Sequence, residues 1–471
     1  MKSTKSIKRN YIYNLSYQVM TYLIPVITTP YLSRVLGAKG IGTYSFAESV
    51  VSYFVLFCNM GINVYGQREI SYVQNDIEAR SKVFWETKAL SLITFLVTSL
   101  AYLSVFKFFK EWSIYIILFM NIVSVVTDIS WFYRGIEEFG KVVIRNAIVK
   151  LLGLIYIFAF VKTEDDLLIY IFGVVFFQLL GNLSMWVYLP KYVKKPEIKT
   201  IRPFSILPIA ISLFIPEVAI AIYTILDKTM IGFIVKDYAE NGYYEQAMKI
   251  TKMLMAAITS FGAVLAPRIG SIISKGEEDR AKEYIYINYR FVFAVGLPLS
   301  MGLFFISPRF VPLFLGAGYD EASSLLRILS WLIVIICISN VTGMQYLVIT
   351  KRQRILTVTV IVGAVTNLIL NMFLIIGFKA RGAAAASVIS ELAVMVSQFA
   401  FVHKEISVLR VIREGIPFLI SGAIMLVVLH YCDMYFGNGV WWCFLLVIIG
   451  SAVYGIETLT LYKIGLIKHV S

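Results

Sequence analysis

The chain has 471 residues, 59% of them hydrophobic and only 15% charged, too greasy a balance to cover a soluble surface of that length. A formal net charge of +14 would suit nucleic acid in a soluble chain. No basic stripe accompanies a soluble domain here, and retention of Lys and Arg in cytoplasmic loops of a membrane protein accounts for the excess.

A membrane helix needs about 20 mostly apolar residues. Fourteen stretches qualify: 11–33, 43–66, 83–106, 112–133, 144–162, 166–189, 204–235, 243–266, 284–307, 320–347, 355–377, 381–402, 415–433 and 440–462. The basic opening MKSTKSIKRN precedes an apolar run too long for a signal segment and without a small-x-small cleavage site, so it reads as a first span that stays. With the N-terminus inside, thirty Lys and Arg fall on the cytoplasmic side and nine opposite, leaving Lys228, Lys249, Lys252 and Arg327 within spans. That bias predicts two cytoplasmic termini.

The basic, proline-bounded link PKYVKKPEIKTIRP (190–203) divides the spans. The expected organisation is an N-terminal lobe over 1–189, the linker 190–203, a C-terminal lobe over 204–402, and two further spans with a tail over 403–471. GTYSFA (42–47) and GYYEQA (242–247) open spans 2 and 8 with Gly, Tyr and Ala in register. An even number of spans per half makes such repeats parallel. The fold class predicted is all-α integral membrane, with about 14 transmembrane helices: two parallel six-helix lobes plus two C-terminal helices.

Charges deep in a bilayer are costly and mark cavities or partners. In chain order, span 2 carries Glu48, Ser52 and Asn59 on one face, and Asp128 with Arg134 near the end of span 4 suggests a structural ion pair. Span 7 carries Glu217, Thr224 and Lys228 on one stripe, with Asp227 pointing about 100° away. Span 8 carries Glu245, Lys249 and Lys252 at i, i+4 and i+7. Glu245–Lys249 reads as a helical pair of about 0.2–0.5 kcal/mol. Lys228 and Lys252 are then left with no acid on their own face, which suggests a cationic cavity for an anionic ligand.

Asp227 needs a proton, a cation or a hydrogen-bonding neighbour. Asn367, Asn371 and Glu391 from later spans offer oxygen ligands of the kind a hard cation takes, although paired asparagines also serve as interhelical hydrogen-bonding groups. The histidines make no metal spacing, and the four cysteines lie in apolar runs, where they read as packing residues. No Walker motif, HExxH or Cys/His cluster is present, so no ATP hydrolysis and no resident metal or cofactor is expected.

TPYLSRVLGAKGIGTYSFAESVVSYF (29–54), GQREIS (66–71), DISWFYRGIEEFGKVVIRN (128–146), IYTILDKTMIGF (222–233), APRIGS (266–271) and LFLGAGYDEASSLLRILSW (313–331) occur in this order. Together they resemble the Wzx-type oligosaccharide flippases of bacterial polysaccharide biosynthesis. These belong to the MOP superfamily, which also holds the MATE exporters and the lipid II flippase. The resemblance implies a V-shaped arrangement of the lobes around a central cavity, in the bacterial cytoplasmic membrane. It implies an undecaprenyl-pyrophosphate-linked oligosaccharide as substrate, membrane lipids and polysaccharide polymerase or assembly proteins as partners, and no nucleic acid. Substrate binding would fall on Lys228, Lys249 and Lys252, with Arg34 at the mouth of span 1 and Glu48. Coupling to Na⁺ or H⁺ would fall on Asp227, Asn367, Asn371 and Glu391. The alternative is a MATE-like cation-coupled small-molecule antiporter, which the lumen lysines disfavour. A polymerase enzyme ranks third, because no outer loop exceeds about twenty residues.

Overall fold

Lipid offers no hydrogen bonds to backbone groups, so an apolar chain must close them internally. Among the described residues of the computed structural model, all regular structure is helical. These residues are 4–195, 201–437 and 439–464, without the side chains at 4–19, 22, 216, 219–220 and 222–223.

Eleven stretches among the described residues are long and apolar enough to cross a membrane, where the sequence reading counts fourteen. Two of the three differences have a local cause, and the third is the predicted span 204–235, which is not among the eleven stretches and contains side chains outside the described residues. Helix α1 (Thr4–Asn59) runs through Gly37 with non-helical φ 65° and ψ 172°, inside the predicted connection 34–42. A long helix over Gln353–Val402 runs through Lys379 at φ 51° in the same way, inside the predicted connection 378–380. One residue per break turns the chain, so each pair of predicted spans merges into one 50-residue stretch, Leu23–Tyr72 and Gln353–Val402. Gly37 suits its position because glycine pays no Cβ penalty at positive φ. Lys379 pays it, and is held on both sides: its Nζ lies 3.2 Å from Glu240 Oε1, and the Ala380 N–H donates to Glu240 Oε2 at 3.3 Å. Gly382 completes the turn, since a Cβ there would sit 2.1 Å from the Leu374 carbonyl oxygen.

The chain packs as two compact units, 1–225 and 226–471. The division falls inside a helix rather than in the linker, of which 196–200 lie outside the described residues. The first unit holds α1, α2 (Ile62–Tyr72), α3 (Ile77–Val105), α4 (Trp112–Thr127), α5 (Ser130–Gly135), α6 (Phe139–Phe160), α7 (Leu167–Trp186) and the start of α8 (Leu207–Val235). Its core at one end is aromatic, with Phe84, Trp131, Phe132 and Tyr133 all buried together. The start of α8 packs Ile206 and Ala210 against Ile62, Tyr65 and Leu90.

The second unit holds the end of α8, α9 (Tyr238–Ser274), α10 (Glu278–Leu315), α11 (Asp320–Leu329), α12 (Leu332–Asn340), α13 (Gln353–Val402), α14 (Val408–Tyr435) and α15 (Val440–Lys463). A π-helical turn over Val341–Leu347 continues α12. Large apolar side chains such as Leu100, Phe373 and Ile376 are more than two-thirds exposed. Water would not tolerate so much exposed apolar surface, and a bilayer requires it.

Candidate functional site

The adjacent pair Asp227–Lys228 lies on α8, in the second unit, and the two side chains do not serve each other. The α8–α9 connection is short, so the helices run antiparallel and present neighbouring residues to neighbouring residues. The Tyr244 hydroxyl of α9 donates to Asp227 Oδ2, and the Lys228 ammonium is ion-paired with Glu245 of the same helix. The Asn241 side-chain amide donates to the Lys228 carbonyl at 2.7 Å and ties the same backbone turn to α9.

Asp227 is 5% exposed and collects two further donors from α13. Asn371 Nδ2 donates to Oδ1 at 2.6 Å, and the Ser387 hydroxyl donates to Oδ2 at 2.6 Å. Asn371 also donates to Asn367 Oδ1 at 2.9 Å, and Tyr244 and Ser387 oxygens stand 3.0 Å apart. One acceptor is left over: Asn371 Oδ1 is buried with no hydrogen-bond partner among the described residues. Carboxylate, amide and hydroxyl oxygens thus converge in one buried place, the donor set that suits a small hard cation. Glu391, one turn past Ser387 on α13, is buried too, yet no hydrogen bond joins it to Asp227 among the described residues. The structure therefore brings Asp227, Asn367 and Asn371 together and adds Tyr244 and Ser387. Neither addition is legible in sequence, because a Tyr in GYYEQA and a Ser in an Ala-rich run are unexceptional in membrane helices.

On the cationic side one expectation needs correction. Lys228 is not left without an acid, since Glu245 reaches it across the α8–α9 interface. Sequence spacing compares residues within one helix, and the partner stands on the next. Lys249 and Lys252 follow Glu245 on α9 by one and two turns, Lys249 partly buried and Lys252 exposed. Lys252 has no ion pair among the described residues, and with Lys249 it continues the stripe that Glu245 begins.

The other expected residues lie in the first unit. Arg34 is exposed and donates weakly to the Pro30 carbonyl at 3.4 Å, and Glu48 accepts from Tyr44 at 3.0 Å. Glu217 accepts from Asn59 Nδ2 at 3.3 Å. The expected Asp128–Arg134 pair is also replaced. Asp128 accepts from the Ser130 N–H at 2.8 Å and hydroxyl at 3.0 Å and faces Arg145 at 3.8 Å, while Arg134 donates to the Ser130 hydroxyl at 3.2 Å. The break after α4 leaves Ser130 between the two charges.

The fold is that of a multi-pass membrane protein. Residues 7–273 match the family described as polysaccharide biosynthesis protein, and residues 210–373 match the MatE family. The chain belongs to the polysaccharide biosynthesis protein family. A curated relative from Shigella dysenteriae, named "Putative O-antigen transporter", is 24% identical over 82% of this chain and 98% of its own. A lipid II flippase MurJ structure in an inward closed conformation shares the fold with TM-score 0.74, 16% identity and coverage of 96% and 98%. An inward-facing MATE family multidrug resistance transporter shares it with TM-score 0.60, 13% identity and coverage of 86% and 98%.

Proposed function

We propose that this protein flips an undecaprenyl-pyrophosphate-linked oligosaccharide from the cytoplasmic to the outer leaflet by alternating access, for surface polysaccharide synthesis. The observation that carries the reading is the stripe of Lys228, Lys249 and Lys252 opposed by Glu245. Cations inside a membrane protein attract an anionic headgroup and repel cationic drugs. The family match over 7–273 and the O-antigen transporter relative support it. In this reading the chain lies in a bacterial cytoplasmic membrane, with both termini inside. Arg34 and Glu48 belong to the substrate-binding residues.

Coupling falls on the Asp227 cluster, with Asn367, Asn371 and Glu391. The unpartnered Asn371 Oδ1 beside the Asp227 carboxylate is what supports a cation such as Na⁺. The same cluster also fits a second reading, a MATE-like cation-coupled antiporter of small molecules, because the MatE match spans 210–373. A strain lacking the gene separates the two. Under the flippase reading it accumulates lipid-linked repeat unit in the inner leaflet, and the plasmid-borne gene reverses this. Drug sensitivity without such accumulation would favour the antiporter.

A further inference from the structure

Helices α6 and α7 enclose a lipid-facing groove of about 520 Å³ within the first unit, remote in sequence from the charges of the second. On α6 its lining runs from Lys141 to Leu152, and opposite from Tyr188, just past the end of α7, back to Phe177. Eleven residues of helix rise about 16 Å, close to half of a hydrocarbon core of about 30 Å. The groove is therefore about as long as one leaflet of hydrocarbon is thick.

Its two ends differ in chemistry. The deep part is Ile148, Leu152, Phe177 and Leu180, and its floor is closed where Val149 packs against Gly181, at which a Cβ would sit 2.4 Å from Val149 Cγ2. The shallow end carries Lys141, whose Nζ lies 5.6, 5.5 and 4.2 Å from the ring centres of Tyr133, Tyr188 and Tyr192. The ammonium donates to the Tyr192 hydroxyl, which keeps its own proton to give, and stands 3.8 Å from the half-exposed Glu138. Arg145, one turn deeper and buried, adds a second cation, fixed by Asn182 at 2.7 Å and facing Asp128 at 3.8 Å. Lys191 is exposed just past Tyr188. Tyrosine and lysine at this depth are the usual interfacial anchors.

We propose that this groove is a binding site for one resident anionic phospholipid: an acyl chain lies along α6 and α7, and the headgroup phosphate meets Lys141 and the Tyr192 hydroxyl. Its leaflet is the one from which the segment 190–195 emerges, the cytoplasmic one in the orientation proposed above. Net negative charge, and not the phosphate alone, sets the preference, because a zwitterionic headgroup brings its own cation to the lysines.

The test is native mass spectrometry of the purified full chain with added phosphatidylglycerol or phosphatidylethanolamine. The wild type should retain phosphatidylglycerol in preference. Lys141→Gln should cut its occupancy roughly fivefold while leaving phosphatidylethanolamine unchanged, as for the loss of one interfacial lysine. Ser184→Phe, at an exposed groove position, should displace both lipids, and Leu180→Trp repeats that arm should Ser184→Phe express poorly. Lys252→Glu, outside the groove, should leave retention unaltered, which separates this site from the transport site. Equal retention of the two phospholipids by the wild type, or indifference to Lys141→Gln, would overturn the proposal. Preferential retention of undecaprenyl phosphate over phosphatidylglycerol would also overturn it, by assigning the groove to the substrate's tail.

Discussion

Glu245 of α9 is ion-paired with Lys228 of α8, and the residue before each, Tyr244 and Asp227, is joined by a hydrogen bond. Two consecutive residues on one helix thus clasp two on the next. Under the proposed function, a phosphate arriving at Lys228 would compete with Glu245, and any shift of α9 there would act on the turn that holds Tyr244 against Asp227. The clasp would then give the proposed substrate and coupling sites a common mechanical element. Its consequences can be separated by substitution.

Glu245→Gln leaves Lys228 without its paired charge in a partly buried position. Unfolding stability in detergent should fall by about 1–3 kcal/mol, the cost of stranding one partner. The exchange Lys228→Glu with Glu245→Lys should recover most of that stability and still fail to transport, since it moves the cation to the wrong helix. Thermal unfolding and a repeat-unit translocation assay on the same preparations check both halves.

Asp227→Asn keeps shape and part of the hydrogen bonding while removing the charge. It should abolish ion-dependent transport and leave binding of lipid-linked substrate nearly unchanged. Tyr244→Phe removes one of three donors and should weaken ion dependence less. Transport by Asp227→Asn with wild-type ion dependence would reduce Asp227 to a helix-bridging group.

Gly382→Val places side-chain carbon against the Leu374 carbonyl, where even a Cβ would be 2.1 Å away. Backbone must move, so the membrane-inserted yield should drop sharply, whereas Lys379→Gly, which relieves φ 51° but gives up the Glu240 ion pair, should lower the yield far less. Quantitative immunoblots of membrane fractions read this directly.

Much of the fold follows from hydropathy alone, because apolar length and basic flanks are local signals. The turns at Gly37 and Lys379 fall where polar residues interrupt the apolar runs. The candidate site is legible only as charges. Asp227, Lys228 and Glu245 stand out by type, but their partners come from neighbouring helices, and spacing within one helix assigns Glu245 to Lys249 alone. Lys88 shows the same limit. It falls near the start of the predicted span 83–106, and it is buried, with its ammonium donating to the Val126 carbonyl near the end of α4. The echo between GTYSFA and GYYEQA has a chemical counterpart, as the hydroxyls of Tyr44 and Tyr244 each donate to a carboxylate, Glu48 and Asp227.

The central claim is that lysines on α8 and α9 attract the substrate's phosphates, and Lys252 tests it best because it is exposed and has no ion pair among the described residues. The measurement is the outer-leaflet appearance of lipid-linked repeat unit in a strain lacking the gene and carrying Lys252 variants at equal membrane level. Lys252→Arg should retain much of the transport, Lys252→Ala should lower it, and Lys252→Glu should lose it. Wild-type transport by Lys252→Glu would contradict the account.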